Sequence, residues 1–314
     1  MIGARIRAAA EKRARIFAHR MVDAYRVVNG AADSAPRGLA IDRYASCLVV
    51  WARDEIALDV VDDWCHAAER ELQAAAVVLK RLARDPRKST SAVVSGARPA
   101  SPLAVREHDA TFLCHLDDGI PTGLYLDHRE TRLRARDFAE GAEVLNLFAY
   151  TSAFSVHAAR AGATRVTSVD ASKKALGRGR ENMTASGLDP DAHRWFADDV
   201  RTHLDRAAKK PPRYGLVILD PPSFGRAGGH SAISFDRDIS ELVGAALRVT
   251  VPGGIVIVSS HTEGVSRERL IASLQSAAGL TARSLDVLPI ETVPAPDFPS
   301  VGDDSLNVVF ARVG

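Results

Sequence analysis

The stretch Leu216-Val217-Ile218-Leu219-Asp220-Pro221-Pro222-Ser223-Phe224 decides how the chain is read. Four apolar residues in a row predict a buried strand. Neither proline has a backbone N–H, and each fixes its own φ and restrains the residue before it. The segment therefore neither extends a strand ladder nor opens a helix directly. It leaves a carboxylate and backbone carbonyls at the carboxyl end of a buried strand. In open α/β sheets that end is where ligands bind.

Working outward, short apolar runs alternate with helical patterns from residue 144 on. Strands are expected at Val144–Phe148, Arg165–Val169, Trp195–Phe196, Leu216–Leu219 and Ile255–Ser259, with helices between them. Such alternation predicts a mainly parallel, doubly wound, Rossmann-like α/β sheet. A closing pair, about 281–288 and 306–311, suggests an antiparallel edge and brings the expected count to seven strands. A hairpin is expected at 111–116 and 124–126, around Asp117-Asp118-Gly119. Upstream, Tyr25–Val28, Cys47–Trp51 and Val77–Leu79 are strand-like and 58–75 is helical. The Arg-, Ser-, Pro- and Gly-rich stretch 81–102 reads as an irregular exposed connection. Residues 4–24 form a helical pattern with a patchy apolar stripe among arginines, either a solvated face or an RNA-contacting arm. The expected organisation is a basic helix at 1–24, a small α/β domain at 25–105 and the large sheet domain at 106–314.

The 314 residues carry 41 Lys plus Arg against 39 Asp plus Glu, so overall charge does not identify a partner. Three widely spaced cysteines, Cys47, Cys65 and Cys114, have neither metal-ligand spacing nor a disulfide framework, which points to a reducing cytosol. No apolar run reaches the length of a membrane span, and no signal-peptide core follows Met1.

The strand-to-helix turn Asn146-Leu147-Phe148-Ala149-Tyr150-Thr151-Ser152 holds no glycine. A dinucleotide site needs G-x-G-x-x-G so that a pyrophosphate can approach the helix N-terminus. A ligand without a pyrophosphate remains compatible. Asp170, roughly twenty residues on and at the tip of the next strand, is placed to accept hydrogen bonds from a ribose diol. Asp199 ends the third strand, where it suits either an adenine amine or a helix N-cap.

These elements together resemble the class I S-adenosylmethionine-dependent methyltransferases of large-subunit ribosomal RNA, those modifying cytosine C5 or guanine N7. The resemblance rests on Asn146–Thr151, Ser168-Val169-Asp170, Glu181-Asn182, Asp220–Phe224 and Thr122-Gly123-Leu124-Tyr125-Leu126-Asp127-His128-Arg129. It extends to Arg26–Gly30 and Gly38–Tyr44. It implies S-adenosylmethionine as cofactor and RNA as substrate. Asn146, Phe148, Ala149, Tyr150, Thr151 and Ser152 would line the methionine end, and Arg129 would hold the methionine carboxylate. Asp170 would take the ribose, Asp199 the adenine, and Asp220 would face the methyl group. Pro221 and Pro222 shape the acceptor site, and Phe224 is available to stack on an extruded base.

The chain departs from that pattern at three places. Ser152 stands where the family carries glycine. His261 stands about where the cytosine-C5 enzymes carry their cysteine, and no cysteine is near in sequence. Attack at C5 needs a thiolate added to the ring first, whereas a nitrogen needs positioning and help in losing a proton. A guanine nitrogen is therefore the expected target. Finally, the N-terminal RNA-binding domain of the PUA type carried by the C5 relatives is not expected here. That leaves a small-molecule methyltransferase and a catalytically silent RNA-binding protein as rival readings.

Overall fold

The computed structural model describes residues 1–222, 235–262, 264–289, 295–299 and 306–314. The chain forms two compact units. One takes Met1–Arg129 and, of the later described residues, 295–299; the other takes the remainder.

The first unit is built on a five-stranded sheet, β1 (Ala24–Asn29), β2 (Leu39–Tyr44), β3 (Cys47–Arg53), β4 (Ala76–Leu82) and β5 (Thr90–Gly96), in that order. All pairs are antiparallel except β3 with β4, which are joined by helix α2 (Leu58–Leu72). Helix α1 (Ile2–Phe17) places Ile6 and Ala9 in one apolar core with Ile41, Val50, Val61 and Trp64. It ends at Phe17, short of the expected residue 24, and belongs to this unit rather than standing apart.

Two sequence expectations are corrected here. The stretch 81–102 is not wholly irregular, because Thr90–Gly96 is the edge strand β5. Its small polar residues and alternating exposure hid it, since an edge strand need not bury either face deeply. The hairpin lies earlier than expected, as β6 (Leu103–Glu107) with β7 (Ala110–Cys114), and Leu124–Leu126 is not a strand. Its turn is the two residues His108-Asp109, with His108 at φ +58, the left-handed backbone that tight hairpins use. This hairpin and the chain up to Arg129 lie in the first unit, so the division falls at 129/130 rather than 105/106.

The second unit is a seven-stranded sheet. Its strands are β8 (Glu143–Leu147), β9 (Arg165–Asp170), β10 (Arg194–Ala197), β11 (Tyr214–Leu219), β12 (Thr250–Ser260), β13 (Leu285–Val287) and β14 (Asn307–Val313). Their order is β10-β9-β8-β11-β12-β14-β13. The first five are parallel to one another and β14 is antiparallel to both neighbours, as the sequence pattern predicts. Helices α3 (Arg129–Ala135), α4 (Ala153–Arg160), α5 (Lys173–Ala185), α6 (Val200–Ala207), α7 (Phe235–Val249) and α8 (Arg267–Leu280) connect or cover the strands. Two apolar clusters result. One joins Leu145, Leu147, Val217 and Leu219 to Leu242 and Leu270; the other joins Val144, Leu216 and Ile218 to Phe154 and Phe310. Strands buried on both faces explain the unbroken apolar runs.

From β8 the chain moves to β9 and β10 on one side, then returns to place β11 on the other. The strand order therefore reverses beside β8, and ligands of such sheets bind outside the carboxyl ends at this point. Among the described residues, no helix is long and apolar enough to cross a membrane.

Candidate cofactor and active site

In-register pairing aligns the carboxyl ends of the central strands. Leu147 lies opposite Val169 and Leu219, and Leu219 lies opposite Val258. The next residue on each strand, Phe148, Asp170, Asp220 and Ser259, therefore falls along one edge.

Among the described residues of the unit, the turn after β8 gathers the most left-handed non-glycine positions. Phe148, Tyr150 and Ser152 all have positive φ, +55, +49 and +60. Each left-handed non-glycine residue costs about 1–2 kcal/mol. Such strain persists only where the surroundings hold it, and it concentrates at ligand sites. Here the holders are identifiable. Tyr150 N–H donates to Asp170 Oδ2 at 2.8 Å, Ala149 N–H to the Val169 carbonyl at 3.0 Å, and Asn182 Nδ2 to the Thr151 carbonyl at 3.0 Å. Asn182 is fully buried on α5, which gives a physical role to the Glu181-Asn182 pair. Thr151 and Ser152 are buried as well, with Ser152 at 0 % exposure. The Ser152 side chain rests on α5 at Gly179, where a Cβ on the glycine would lie 2.6 Å from the serine Oγ.

Asp170 is half-buried at the tip of β9. Its Oδ1 accepts from Ser172 N–H at 2.8 Å and its Oδ2 from Tyr150 N–H. Two main-chain donors thus orient the carboxylate, and each oxygen keeps a second lone pair for a ligand hydroxyl. No glycine-rich phosphate cradle accompanies it. A cofactor with a ribose diol and no pyrophosphate fits this donor and acceptor set.

Asn146 takes a different place from the expected one. It is 1 % exposed, and its Nδ2 donates to Ser155 Oγ at 2.9 Å, which in turn shares a 2.8 Å hydrogen bond with Ser168 Oγ. The chain Asn146–Ser155–Ser168 ties β8, α4 and β9 together beneath the turn, so Asn146 supports the turn from below. Asp199 caps α6, its Oδ1 accepting from Thr202 N–H at 3.0 Å, which is the helix-capping alternative.

Arg129 also departs from expectation. It lies in the first unit at 0 % exposure, with its two terminal nitrogens on Asp297 at 2.8 and 2.9 Å and its guanidinium over the Phe17 ring. A fork engaged bidentately by a buried carboxylate is not turned to a cofactor. Burial pushes the Asp297 carboxyl above its ordinary range, against the opposing pull of Arg129.

Asp220 follows β11 directly, with Pro221 buried and Pro222 exposed after it. Its Oδ1 accepts from Ser259 Oγ at 2.5 Å. Ser259 is 2 % exposed on β12 and carries no motif of its own; the register of β12 on β11, one residue past the partner of Leu219, brings it there. His261 is exposed at the end of β12. Phe224 lies outside the described residues. Cys47, Cys65 and Cys114 are all buried, unbridged and in the first unit, so the unit bearing Asp170 and Asp220 has no cysteine. Burial raises the Cys65 thiol to about 12.

Residues 58–307 match the family model of the S-adenosylmethionine-dependent methyltransferases. A ribosomal RNA large subunit methyltransferase of Deinococcus radiodurans is 33 % identical over 299 residues, 89 % of this chain and 71 % of that protein. Ribosomal RNA large subunit methyltransferase I of Aeromonas hydrophila is 29 % identical over 296 residues, 90 % of this chain and 73 % of its own. The crystal structure of SMU.776 complexed with S-adenosylhomocysteine superposes with a TM-score of 0.85 at 25 % identity, covering 99 % of this chain and 80 % of the other. With the strand-tip acid, the strained glycine-free turn and the reversed strand order already in place, the chain belongs to the S-adenosylmethionine-dependent methyltransferase family.

Proposed function

We infer that this methyltransferase acts on RNA, ribosomal RNA in the first instance, and that it methylates a guanine nitrogen. The observation that carries the choice of atom is the Asp220 carboxylate, fixed by Ser259 at the tip of β11 in a unit without a cysteine. The names of the relatives support the choice of RNA.

The cofactor supplies an electrophilic methyl group on a sulfonium. Asp170 and the turn 148–152 are assigned to holding it, with Phe148 to Ser152 forming the wall at its methionine end and Asp199 offering the adenine the carboxylate oxygen that does not cap α6. Asp220 and the Pro221 carbonyl accept hydrogen bonds from the N–H groups of the base edge and aim the nitrogen lone pair at the methyl carbon. When bound, the cofactor would take the C–S bonding pair back on sulfur as its methyl group is transferred. An exocyclic nitrogen passes its proton to Asp220; a ring nitrogen without hydrogen has none to pass. Pro221 and Pro222 keep the tip rigid, so that little is lost in ordering it at the moment of reaction. Phe224 is assigned to stacking on the base.

The test is mass spectrometry of nucleosides from ribosomal RNA of a deletion strain, its parent, and the strain complemented with wild type or Asp220→Ala. One methylated guanosine should disappear on deletion and return only with wild type. In single-turnover transfer Asp220→Ala should be slower by about a hundredfold or more, the scale of positioned acid–base groups. Ser259→Ala should fall between the two. Loss of 5-methylcytidine instead would refute the nitrogen target. Unchanged ribosomal RNA would refute the substrate.

A further inference from the structure

The second face of the first unit's sheet carries a row of polar side chains, one on each strand. Arg26 on β1 makes a bidentate pair with Asp42 on β2, Nε to Oδ1 at 2.7 Å and Nη2 to Oδ2 at 3.1 Å. Asp42 Oδ2 also accepts from the indole N–H of Trp51 on β3 at 2.7 Å. The Lys80 ammonium on β4 lies 5.8 Å from the Trp51 ring centroid and donates to Ser91 Oγ on β5 at 3.2 Å and to the Gly119 carbonyl at 2.5 Å. Asp42 and Lys80 are buried, while Trp51 is only partly covered. Two residues beyond Trp51 on the same strand, Arg53 falls on the same face by the period of a strand. Arg53 is exposed and makes no ion pair or hydrogen bond through its guanidinium among the described residues.

We propose that Trp51 is a stacking platform for an unpaired base of the RNA substrate, with Arg53 meeting the adjacent phosphate; the proposal rests on the RNA reading above. A buried carboxylate locks the plane of an indole that is left partly open on a sheet face. That is pre-organisation of an aromatic surface, which lowers the ordering cost of a stacked ligand. Sheet-borne aromatics flanked by cations are suited to single-stranded RNA, because every base has a π-face and every linkage a phosphate. The Lys80 ammonium, over one face of the ring, also fits a platform that offers its other face. Burial lowers the Lys80 ammonium to about 8, so it still carries its charge in most molecules at neutral pH. Asp117 and Asp118 act on Lys80 from the adjoining loop, and Asp117 is itself paired with Arg98. A purely structural row would need neither the partial opening of Trp51 nor the free guanidinium two residues on.

The experiment is fluorescence anisotropy of a fluorescein-labelled single-stranded oligoribonucleotide and of its duplex, with full-length protein saturated with S-adenosylhomocysteine. Salt is varied from about 50 to 200 mM. Wild type should prefer the single strand. Trp51→Ala should weaken single-strand binding about tenfold, the scale of one stacked base. Trp51→Phe keeps a ring while losing the bond to Asp42, and should retain affinity within about threefold. Arg53→Ala should lower the slope of log affinity against log salt by about one phosphate contact. Binding of S-adenosylhomocysteine and the melting temperature serve as fold controls. Unchanged RNA affinity in folded Trp51→Ala, or an equal loss in Trp51→Phe, overturns the platform while the RNA reading stands. If wild type binds the cofactor product but no RNA at low salt, the RNA reading itself falls and the platform with it.

Discussion

Replacing Ser152 with glycine should make the methyltransferase unit more stable. Ser152 sits at φ +60, ψ +34, where an L side chain is disfavoured by about 1–2 kcal/mol. Its Oγ is buried and has no hydrogen-bond partner among the described residues, a further cost of about 1–3 kcal/mol. Against these gains, glycine loses about 0.5–1 kcal/mol more chain entropy on folding. A few contacts with α5 are also lost. The balance favours Ser152→Gly by about 1–2 kcal/mol, a rise of about 2–8 °C in melting temperature for a unit of this size. The neighbour makes the reasoning testable twice. A Cβ on Gly179 would lie 2.6 Å from Ser152 Oγ, 2.9 Å from Ser152 Cβ and 3.0 Å from Trp195 Cζ3. Gly179→Ala alone should cost about 1–3 kcal/mol through overpacking, partly offset by about 1 kcal/mol of helix propensity. In the Ser152→Gly background the two closest of these contacts are gone and the Trp195 one stays, so the same substitution should be close to neutral. Thermal and urea melts of the four proteins, followed by circular dichroism, give the double-mutant cycle, with an expected coupling of at least about 1 kcal/mol. A destabilised Ser152→Gly protein, or an equal cost of Gly179→Ala in both backgrounds, would refute the argument.

Asp170→Ala should weaken S-adenosylhomocysteine binding about tenfold or more through lost charge-assisted hydrogen bonds. Because Asp170 also holds Tyr150 N–H and Ser172 N–H, it should lower the melting temperature too, and Asp170→Asn should be milder in both. Calorimetric titration beside thermal melts checks this, and full affinity in folded Asp170→Ala removes the ribose assignment. Removing one partner of the buried Arg129–Asp297 pair should cost about 3–5 kcal/mol in urea melts, while cofactor affinity of the folded fraction stays within about threefold. A selective tenfold loss of cofactor affinity in an Arg129 variant of native stability would return Arg129 to the cofactor, at about 1.4 kcal/mol per decade. Lys80 titrates near 8 in the folded chain against an ordinary 10.5, so the unfolded chain binds more protons between those values. Stability should therefore rise with pH across that window, and denaturant midpoints of Lys80→Met should lack the rise.

The positions of the central strands were legible because strands buried on both faces leave apolar runs, unbroken in β11 and interrupted only by Asn146 in β8 and by Thr167 and Ser168 in β9, and these fall where expected; their order in the sheet came from the fold. The acids Asp170 and Asp220 were legible for a related reason. A charged residue directly after such a run has to emerge at the sheet edge. Edge strand β5 was missed because it buries little, and the hairpin was misplaced because its turn carries neither glycine nor asparagine. The role of Arg129 depended on Asp297, a residue 168 positions away, and no local pattern reveals so distant a partner. The same holds for Ser259 on Asp220, for Gly179 under Ser152 and for Asn182 on the Thr151 carbonyl. The amino-acid sequence by itself determined the strand and helix periods, the acids at the strand tips, the absence of a pyrophosphate turn and the absence of a cysteine beside Asp220. These depend on neighbours a few residues apart. Which carboxylate each arginine meets, which N–H groups orient Asp170 and which residues hold three left-handed backbone positions in one turn were decided by tertiary structure. Hydrogen bonds and packing act over a few ångströms, and only the folded chain brings distant residues that close.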